Sequence, residues 1–86
     1  MERGKVKSIL NQIILGVVEG VDENGLTEDK HLIDDFGLQS IDTLQIFLDI
    51  MDEFNLNLER KQIAKLMKLG ELYDFVYREV DNGKHQ

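Results

Sequence analysis

Apolar residues recur with the period of an α-helix in three parts of this chain, and this period constrains the fold more than any other feature. In residues 6–18 they fall at positions i, i+3, i+4, i+7 and i+8, which is one face of an amphipathic helix. A similar spacing returns in residues 40–54 and 69–80, and the sequence contains no convincing strand. The chain is therefore expected to be all-α.

The helical segments predict a small four-helix bundle with a long loop between helices 1 and 2 and a short third helix. We expect the helices at about residues 4–19, 40–54, 58–67 and 70–81, followed by a frayed tail at 83–86. A length of 86 residues corresponds to a single domain spanning the whole chain.

The connection between the first two helices is about twenty residues long, and ordered loops of this length are often functional. Helix 2 should begin at Ser40, a favourable N-cap residue, with Asp42 in its first turn. Gly37 permits a tight turn that would present Ser40 outward. Apolar residues are expected to hold the loop against the core, namely Leu26, Leu32, Ile33, Phe36 and Leu38.

The segment 40–54 is more apolar than a surface helix requires. Its apolar side chains fill an arc of about 220°, whereas packing on a bundle needs about 100°. One flank should face the core, formed by Ile46, Phe47, Ile50 and Phe54. A second flank should be covered by the long loop, an internal cargo or another protein, formed by Ile41, Leu44, Leu48 and Met51 beside Gln45 and Asp52. The alternative is a central helix surrounded on most sides.

Acidic residues are concentrated in the middle of the chain. Residues 19–59 contain twelve acids and one base, while the whole chain has a net charge of −7. Nucleic-acid binding needs a concentrated basic face, so this pattern argues against it. It favours protein partners with a basic surface, and the alternative is an acidic face that only maintains solubility.

Residues with catalytic or metal-binding potential are few. The chain has no Cys, its two histidines are His31 and His85, and no grouping has metal-ligand spacing. His31 is expected to be exposed to solvent. The acidic run at 22–25 has glycine at its fourth position, where a calcium loop needs it at the sixth. The sequence therefore predicts neither an enzyme nor a metal site.

The sequence also lacks a segment that predicts membrane insertion or export. No apolar run approaches the roughly 18 residues of a transmembrane helix. The basic residues at the amino terminus lead into no cleavage site. A cytoplasmic protein is expected.

Residues 32–44, LIDDFGLQSIDTL, resemble the acyl carrier protein family, as does the continuation Met51-Asp52-Glu53-Phe54. The shared features are an acid-rich approach, Gly37 three residues before Ser40, an apolar residue after the serine, and an acidic helix ending in Glu-Phe. Residues 66–76 are similar to the entry of the family's last helix. The resemblance covers nearly the whole chain.

This resemblance implies that Ser40 carries 4′-phosphopantetheine, donated from coenzyme A, whose thiol holds acyl groups as thioesters. By position, the partner-facing residues would be Ile41, Asp42, Leu44, Gln45, Leu48, Met51 and Asp52. The residues that shelter an acyl chain would be Ile46, Phe47, Ile50 and Phe54. The implied partners of the monomer are a phosphopantetheinyl transferase and acyl-processing enzymes with basic surfaces, without nucleic acid or membrane.

Fatty acid biosynthesis is the pathway expected for such a carrier. The alternatives are a carrier of polyketide, peptidyl or aminoacyl groups, an unmodified acidic helical interaction module, and a metal-responsive acidic protein. Two features depart from the family pattern. Gln39 replaces the usual Asp before the serine, while Gln45 and Met51 stand where Glu is common.

Overall fold

The computed structural model describes residues 1–83, which form four α-helices and one short 3-10 turn. Their bounds are α1 Arg3–Leu15, the 3-10 turn Glu23–Gly25, α2 Ser40–Phe54, α3 Arg60–Ala64 and α4 Leu69–Gly83. Within the described part, β-pairing is limited to an isolated bridge between His31 and Lys68. The prediction of an all-α bundle with a long first loop and a short third helix is confirmed. Of the predicted tail at 83–86, residues 84–86 lie outside the described residues.

The core lies where α1 packs against both α2 and α4. Each of the three long helices turns its apolar face inward, because the spacing of its apolar residues places them on one side. Residues with no exposed surface come from all three helices, and they include Leu10, Ile14, Phe47, Ile50, Leu72 and Val76. This shared core fixes the direction of α2 and therefore the position of its first residue.

The bounds of α1, α3 and α4 differ from the sequence prediction, and α4 runs from Leu69 to Gly83 where 70–81 was expected. α1 ends at Leu15, not near residue 19, because the N–H groups of Val17 and Val18 both bond to the Ile14 carbonyl in a tight turn. α2 ends at Phe54 as predicted, because Asn55 adopts a left-handed conformation with φ of 55°. α3 begins at Arg60 and is shorter than 58–67, because shorter-range backbone bonds close its last turn.

The long loop is held by backbone hydrogen bonds to the segment that joins α3 to α4. Leu32 N–H donates to the Met67 carbonyl and Leu69 N–H to the Lys30 carbonyl, each at 2.9 Å. Gly70 N–H donates to the Glu28 carbonyl at 2.9 Å, and a Cβ at residue 70 would lie 3.0 Å from that oxygen. A side chain at residue 70 would therefore force a shift in this close approach.

Four of the five apolar loop residues expected to contact the core do so. Leu26 and Leu32 are buried, and Phe36 and Leu38 pack against the core while partly exposed. The expectation for Ile33 is wrong, since it remains 39% exposed. It lies in the turn that follows His31.

A buried polar group joins α1 to α4 and the loop. The Tyr73 hydroxyl donates to Asn11 Oδ1 and lies 3.4 Å from the Leu26 carbonyl oxygen. Asn11 Nδ2 in turn donates to Glu23 Oε1 at 3.4 Å. Burial, which disfavours the tyrosinate, raises the pKa of Tyr73 to about 12, with a smaller contribution from the charge of Glu28. This network holds the start of the long loop against the bundle.

Candidate functional site at Ser40

Ser40 is the first residue of α2 and its side chain is exposed. The N-cap residue is Gln39, which corrects the prediction that Ser40 caps the helix. Because the capping position precedes it, the Ser40 hydroxyl is not used to bond the helix start. Within residues 1–83 this hydroxyl has no hydrogen-bond partner. The oxygen is therefore accessible and not engaged by the described residues.

The backbone at the start of α2 is fixed by two side chains of its first turn. The Asp42 carboxylate accepts the Gln39 N–H at 3.0 Å. The Thr43 hydroxyl, which is buried, donates to the Ser40 carbonyl at 2.9 Å. These bonds hold the Leu38–Gln39 and Ser40–Ile41 peptide groups while leaving the Ser40 side chain unrestrained.

The approach to Ser40 is a compact turn closed by side chains. His31 Nδ1 accepts the N–H groups of Ile33 and Asp34 at 3.2 and 3.1 Å. The Asp35 carboxylate accepts the His31 N–H at 2.6 Å. Gly37 has a φ of +64°, which a side chain would strain, and this confirms the turn predicted there. The side chain of His31 is only 35% exposed, so it orders the loop and is not the solvent-exposed residue expected.

An open groove of about 270 Å³ runs beside Ser40 between α2 and α3. One wall consists of Ser40, Thr43 and Leu44, and the other of Arg60, Ile63, Ala64 and Met67. Sequence reasoning missed the second wall entirely. The residues of this second wall begin twenty positions after Ser40 in the sequence. The only signal for this wall in the sequence is the basic Arg60 directly after an acidic segment.

The two apolar flanks predicted for α2 lie in different environments. Ile46, Phe47 and Ile50 have no exposed surface, and Phe54 is partly buried against the core. On the other flank Ile41 is 70% exposed, and Leu44 and Leu48 are 47% and 48% exposed. These three side chains keep much of their surface exposed, so the long loop does not bury this flank.

Met51 differs from the other members of the outer flank. It is partly buried and packs against the core. Its sulfur accepts the Leu58 N–H at 3.3 Å, which ties α2 to the segment before α3. Met51 therefore presents less surface than Ile41, Leu44 and Leu48.

Polar side chains border the exposed apolar flank of α2. Gln45 and Asp52 are exposed, and Asp42 is partly so. Gln45 Nε2 donates to Asp49 Oδ1 at 3.0 Å, one turn further along the helix. The outer surface of α2 therefore combines apolar side chains with carboxylates. Within residues 1–83, no cationic side chain lies within ion-pair distance of these carboxylates.

The described part of the chain contains neither a metal-binding cluster nor a membrane-spanning helix. Residues 1–83 contain no group of three or more acidic or imidazole side chains arranged to hold a metal ion. Over the same range, none of the helices has the length and apolar character to cross a membrane.

The fold and the site define a small helical protein that exposes one free serine hydroxyl beside an acidic and partly apolar helix. No family model matches the sequence. The chain is 30% identical over 76 residues to the acyl carrier protein of Thermotoga maritima, covering 88% of each chain. It is 24% identical over 81 residues to a mitochondrial acyl carrier protein of Neurospora crassa, covering 94% of this chain and 60% of that one.

The chain belongs to the acyl carrier protein family. Members of this family are carriers and not enzymes, so its role is to present a bound group to other proteins. This agrees with the family resemblance read from residues 32–54.

Proposed function

We propose that the chain holds acyl groups as thioesters on a 4′-phosphopantetheine arm attached to Ser40, in fatty acid biosynthesis. The observation that carries this proposal is the free, exposed Ser40 hydroxyl at the first residue of α2. A serine that caps the helix would have its oxygen occupied by a backbone N–H. Family membership supplies the carrier role, and the geometry of Ser40 supports this residue as the attachment point.

The residues around Ser40 fit a phosphopantetheine group. A phosphodiester carries a negative charge, and Arg60 lines the same groove as the serine. The groove also offers apolar surface from Leu44, Ile63 and Met67 to a chain that leaves Ser40. The arm would supply a thiol, which this cysteine-free chain lacks.

Loading would use a transferase and coenzyme A. The Ser40 oxygen forms a bond to the phosphorus that bears pantetheine, and the pyrophosphate bond of coenzyme A breaks. Adenosine bisphosphate leaves, and the hydroxyl proton passes to a base of the transferase. No residue of this chain is needed as that base, because the Ser40 hydroxyl is open to an approaching protein.

The partners would be this transferase and acyl-processing enzymes with basic surfaces. Ile41, Leu44 and Leu48 would supply apolar contact area, with Asp42, Gln45, Met51 and Asp52 at its border. Exposed apolar side chains ringed by charge are typical of a docking surface, and the charge would guide association. The proposal includes a monomeric carrier that works in the cytoplasm.

The acyl group would be sheltered beside the inner flank of α2, among Ile46, Phe47, Ile50 and Phe54. Three of these residues have no exposed surface, so entry of an acyl chain would require the core to expand. The acyl chain would be buried as the core expands. This burial contributes about 0.8 kcal/mol of stabilising free energy for each methylene removed from water. Longer acyl chains should therefore stabilise the protein more than shorter ones.

Intact-mass measurement tests the attachment. The protein is incubated with coenzyme A and a broad-specificity phosphopantetheinyl transferase, and we expect the added mass of one phosphopantetheinyl group. Ser40→Ala should abolish the addition. Ser8→Ala is the matched control, because Ser8 is also an exposed helical serine, and it should be modified as the parent is. Modification that survives Ser40→Ala would contradict the proposal, as would none at all.

Gln39 lies where the family usually has Asp, directly before the modified serine. Its N–H bonds to Asp42, so an Asp at this position would keep that backbone bond. Gln39→Asp restores one negative charge beside Ser40. We expect a higher rate of modification by a transferase with a basic surface, with the difference reduced by added salt.

A further inference from the structure

The wall of the groove opposite Ser40 carries a charge opposite to that of α2. Arg60 lines this groove, and among residues 1–83 it is the only charged residue that does so. The neighbouring cations Lys61 and Lys65 are exposed but do not line it. Arg60 therefore occupies a position that no other cation of the described chain shares.

Arg60 has no acidic partner within the described residues. The ion pairs of Arg and Lys side chains there involve Arg3 and Lys7, and none involves Arg60. Arg3 illustrates the contrast, because its guanidinium lies 3.2 Å from Glu28 and 2.8 Å from Asp74. The nearest acid of α2 to the serine, Asp42, is already engaged by the Gln39 N–H. The guanidinium of Arg60 is thus available to an anion in the groove.

Without a nearby cation, an anion attached to Ser40 would be repelled by the negative charges of α2. The exposed side of α2 carries acids, and like charges raise the energy of a phosphodiester placed beside them. An arginine offers several planar donors that match phosphate oxygens, and it stays charged at every pH the protein experiences. Arg60 supplies the opposite charge on the other wall of the same groove.

We propose that Arg60 is a positioning residue that pairs with the phosphodiester on Ser40 and lays the pantetheine arm along the groove. The apolar side chains of Leu44, Ile63 and Met67 then contact the first part of the arm. This inference rests on the proposed modification of Ser40 and adds the residue that directs the arm. An arm held in this way leaves the acidic face of α2 uncovered for a partner.

NMR of the loaded protein tests this pairing. The phosphorus resonance reports on the phosphodiester, and the methyl resonances of Ile63 and Met67 report on the groove. We expect these methyl resonances to shift on conversion of the unmodified protein to the phosphopantetheinyl form. In Arg60→Gln the shift should fall by about two-fold, which is the population change expected of an exposed ion pair. Arg60→Lys should recover part of it.

Lys61→Gln is the matched control, because it removes a neighbouring exposed cation that does not line the groove. It should leave the phosphorus and methyl shifts as in the parent. Salt gives a second measurement without any substitution, since about 1 M salt screens such a pair and should reproduce the effect of Arg60→Gln in the parent protein.

The outcomes separate this inference from the proposed function. Intact mass is measured on every sample, and absence of the phosphopantetheinyl group overturns both. A loaded protein whose phosphorus and methyl resonances are the same in the parent and Arg60→Gln overturns the role of Arg60 alone. The same holds if Lys61→Gln has an equal effect, because the interaction would then be general electrostatics.

Discussion

The helices α2 and α3 face each other across the Ser40 groove and are anchored very differently. α2 has fifteen residues and buries Thr43, Ile46, Phe47 and Ile50. α3 has five residues and fully buries none of them. Their starts are alike, since Asp42 accepts the Gln39 N–H and Gln62 accepts the Glu59 N–H. The difference lies in what each helix contributes to the core.

This difference in anchoring gives the two walls of the Ser40 groove different mobility. The core fixes α2, so the backbone at Ser40 is held in one place. The wall formed by α3 has few buried contacts, and segments of that kind open locally at low cost. The attachment point proposed at Ser40 would thus be fixed and lie beside an adjustable wall, an arrangement that suits a carrier of groups of different sizes.

The largest effect should come from removing a buried side chain of α2. Phe47→Ala creates a cavity at a fully buried position and should cost about 3–5 kcal/mol of unfolding free energy. Ile63→Ala, at a partly buried position of α3, should cost less than half as much. Urea denaturation measures both, with the exposed Leu48→Ala expected within about 0.5 kcal/mol of the parent. Equal losses of unfolding free energy for Phe47→Ala and Ile63→Ala would contradict the difference in anchoring between α2 and α3.

A second prediction concerns the bond that holds the long loop against the start of α4. Gly70→Ala places a Cβ 3.0 Å from the Glu28 carbonyl oxygen and should cost about 1–3 kcal/mol. Gly4→Ala is the control, because a Cβ there meets nothing within 4 Å. Thermal melting should show a lower Tm for Gly70→Ala only. A Gly70→Ala protein as stable as the parent would mean that the two segments can separate freely.

A third prediction tests the polar network that joins α1, α4 and the long loop by its pH dependence. The pKa of Tyr73 is raised from 10.0 to about 12 by burial, so the unfolded chain loses this proton first. The stability that the buried, protonated Tyr73 hydroxyl gives the folded protein is present below pH 10. It is lost as pH rises toward 12. Tyr73→Phe should lack this part of the alkaline destabilisation. At neutral pH it should cost about 1–3 kcal/mol, because Asn11 Oδ1 loses its donor.

Denaturant titrations of the parent and Tyr73→Phe at a series of alkaline pH values measure this difference. Tyr77→Phe provides the control for a less buried tyrosine of the same helix. If Tyr73→Phe and the parent lose stability in parallel above pH 10, the burial of this hydroxyl is not what sets the response.

The smallest effects should come from the two matched helix starts. Asp42→Ala removes the acceptor of the Gln39 N–H and should cost about 1 kcal/mol of global stability. Gln62→Ala removes the equivalent acceptor of α3. Because α3 is weakly anchored, this change should accelerate amide hydrogen exchange in residues 60–66 with little change in global stability. A global loss as large as that of Asp42→Ala would show that α3 unfolds only with the whole protein.

The arrangement of α2 could be predicted from sequence because it depends on local period alone. The wide apolar arc separated the inner residues Ile46, Phe47 and Ile50 from the outer residues Ile41 and Leu48, and the structure has this division. Helix periodicity fixes such a division without knowledge of the neighbours. The turn at Gly37 was predictable for the same reason, since only local backbone geometry is involved.

Features that depend on distant contacts could not be predicted in this way. The α3 wall with Arg60 comes into the site through tertiary packing, and the pairing of Asn11 with Tyr73 joins residues 62 positions apart. Ile33 was expected in the core from its hydrophobicity, which does not report the direction of a side chain in a turn. The early end of α1 depends on a turn at residues 16–18 that interrupts a continuous apolar pattern.

The central claim is that Ser40 carries the arm, and peptide-level mass spectrometry of protein purified from its native host tests it most directly. We predict that the peptide containing Ser40 bears a phosphopantetheinyl group with an acyl group in thioester linkage. Brief treatment with hydroxylamine should remove the acyl group and leave the arm. Recovery of this peptide only in unmodified form, or an arm on another serine, would contradict the account.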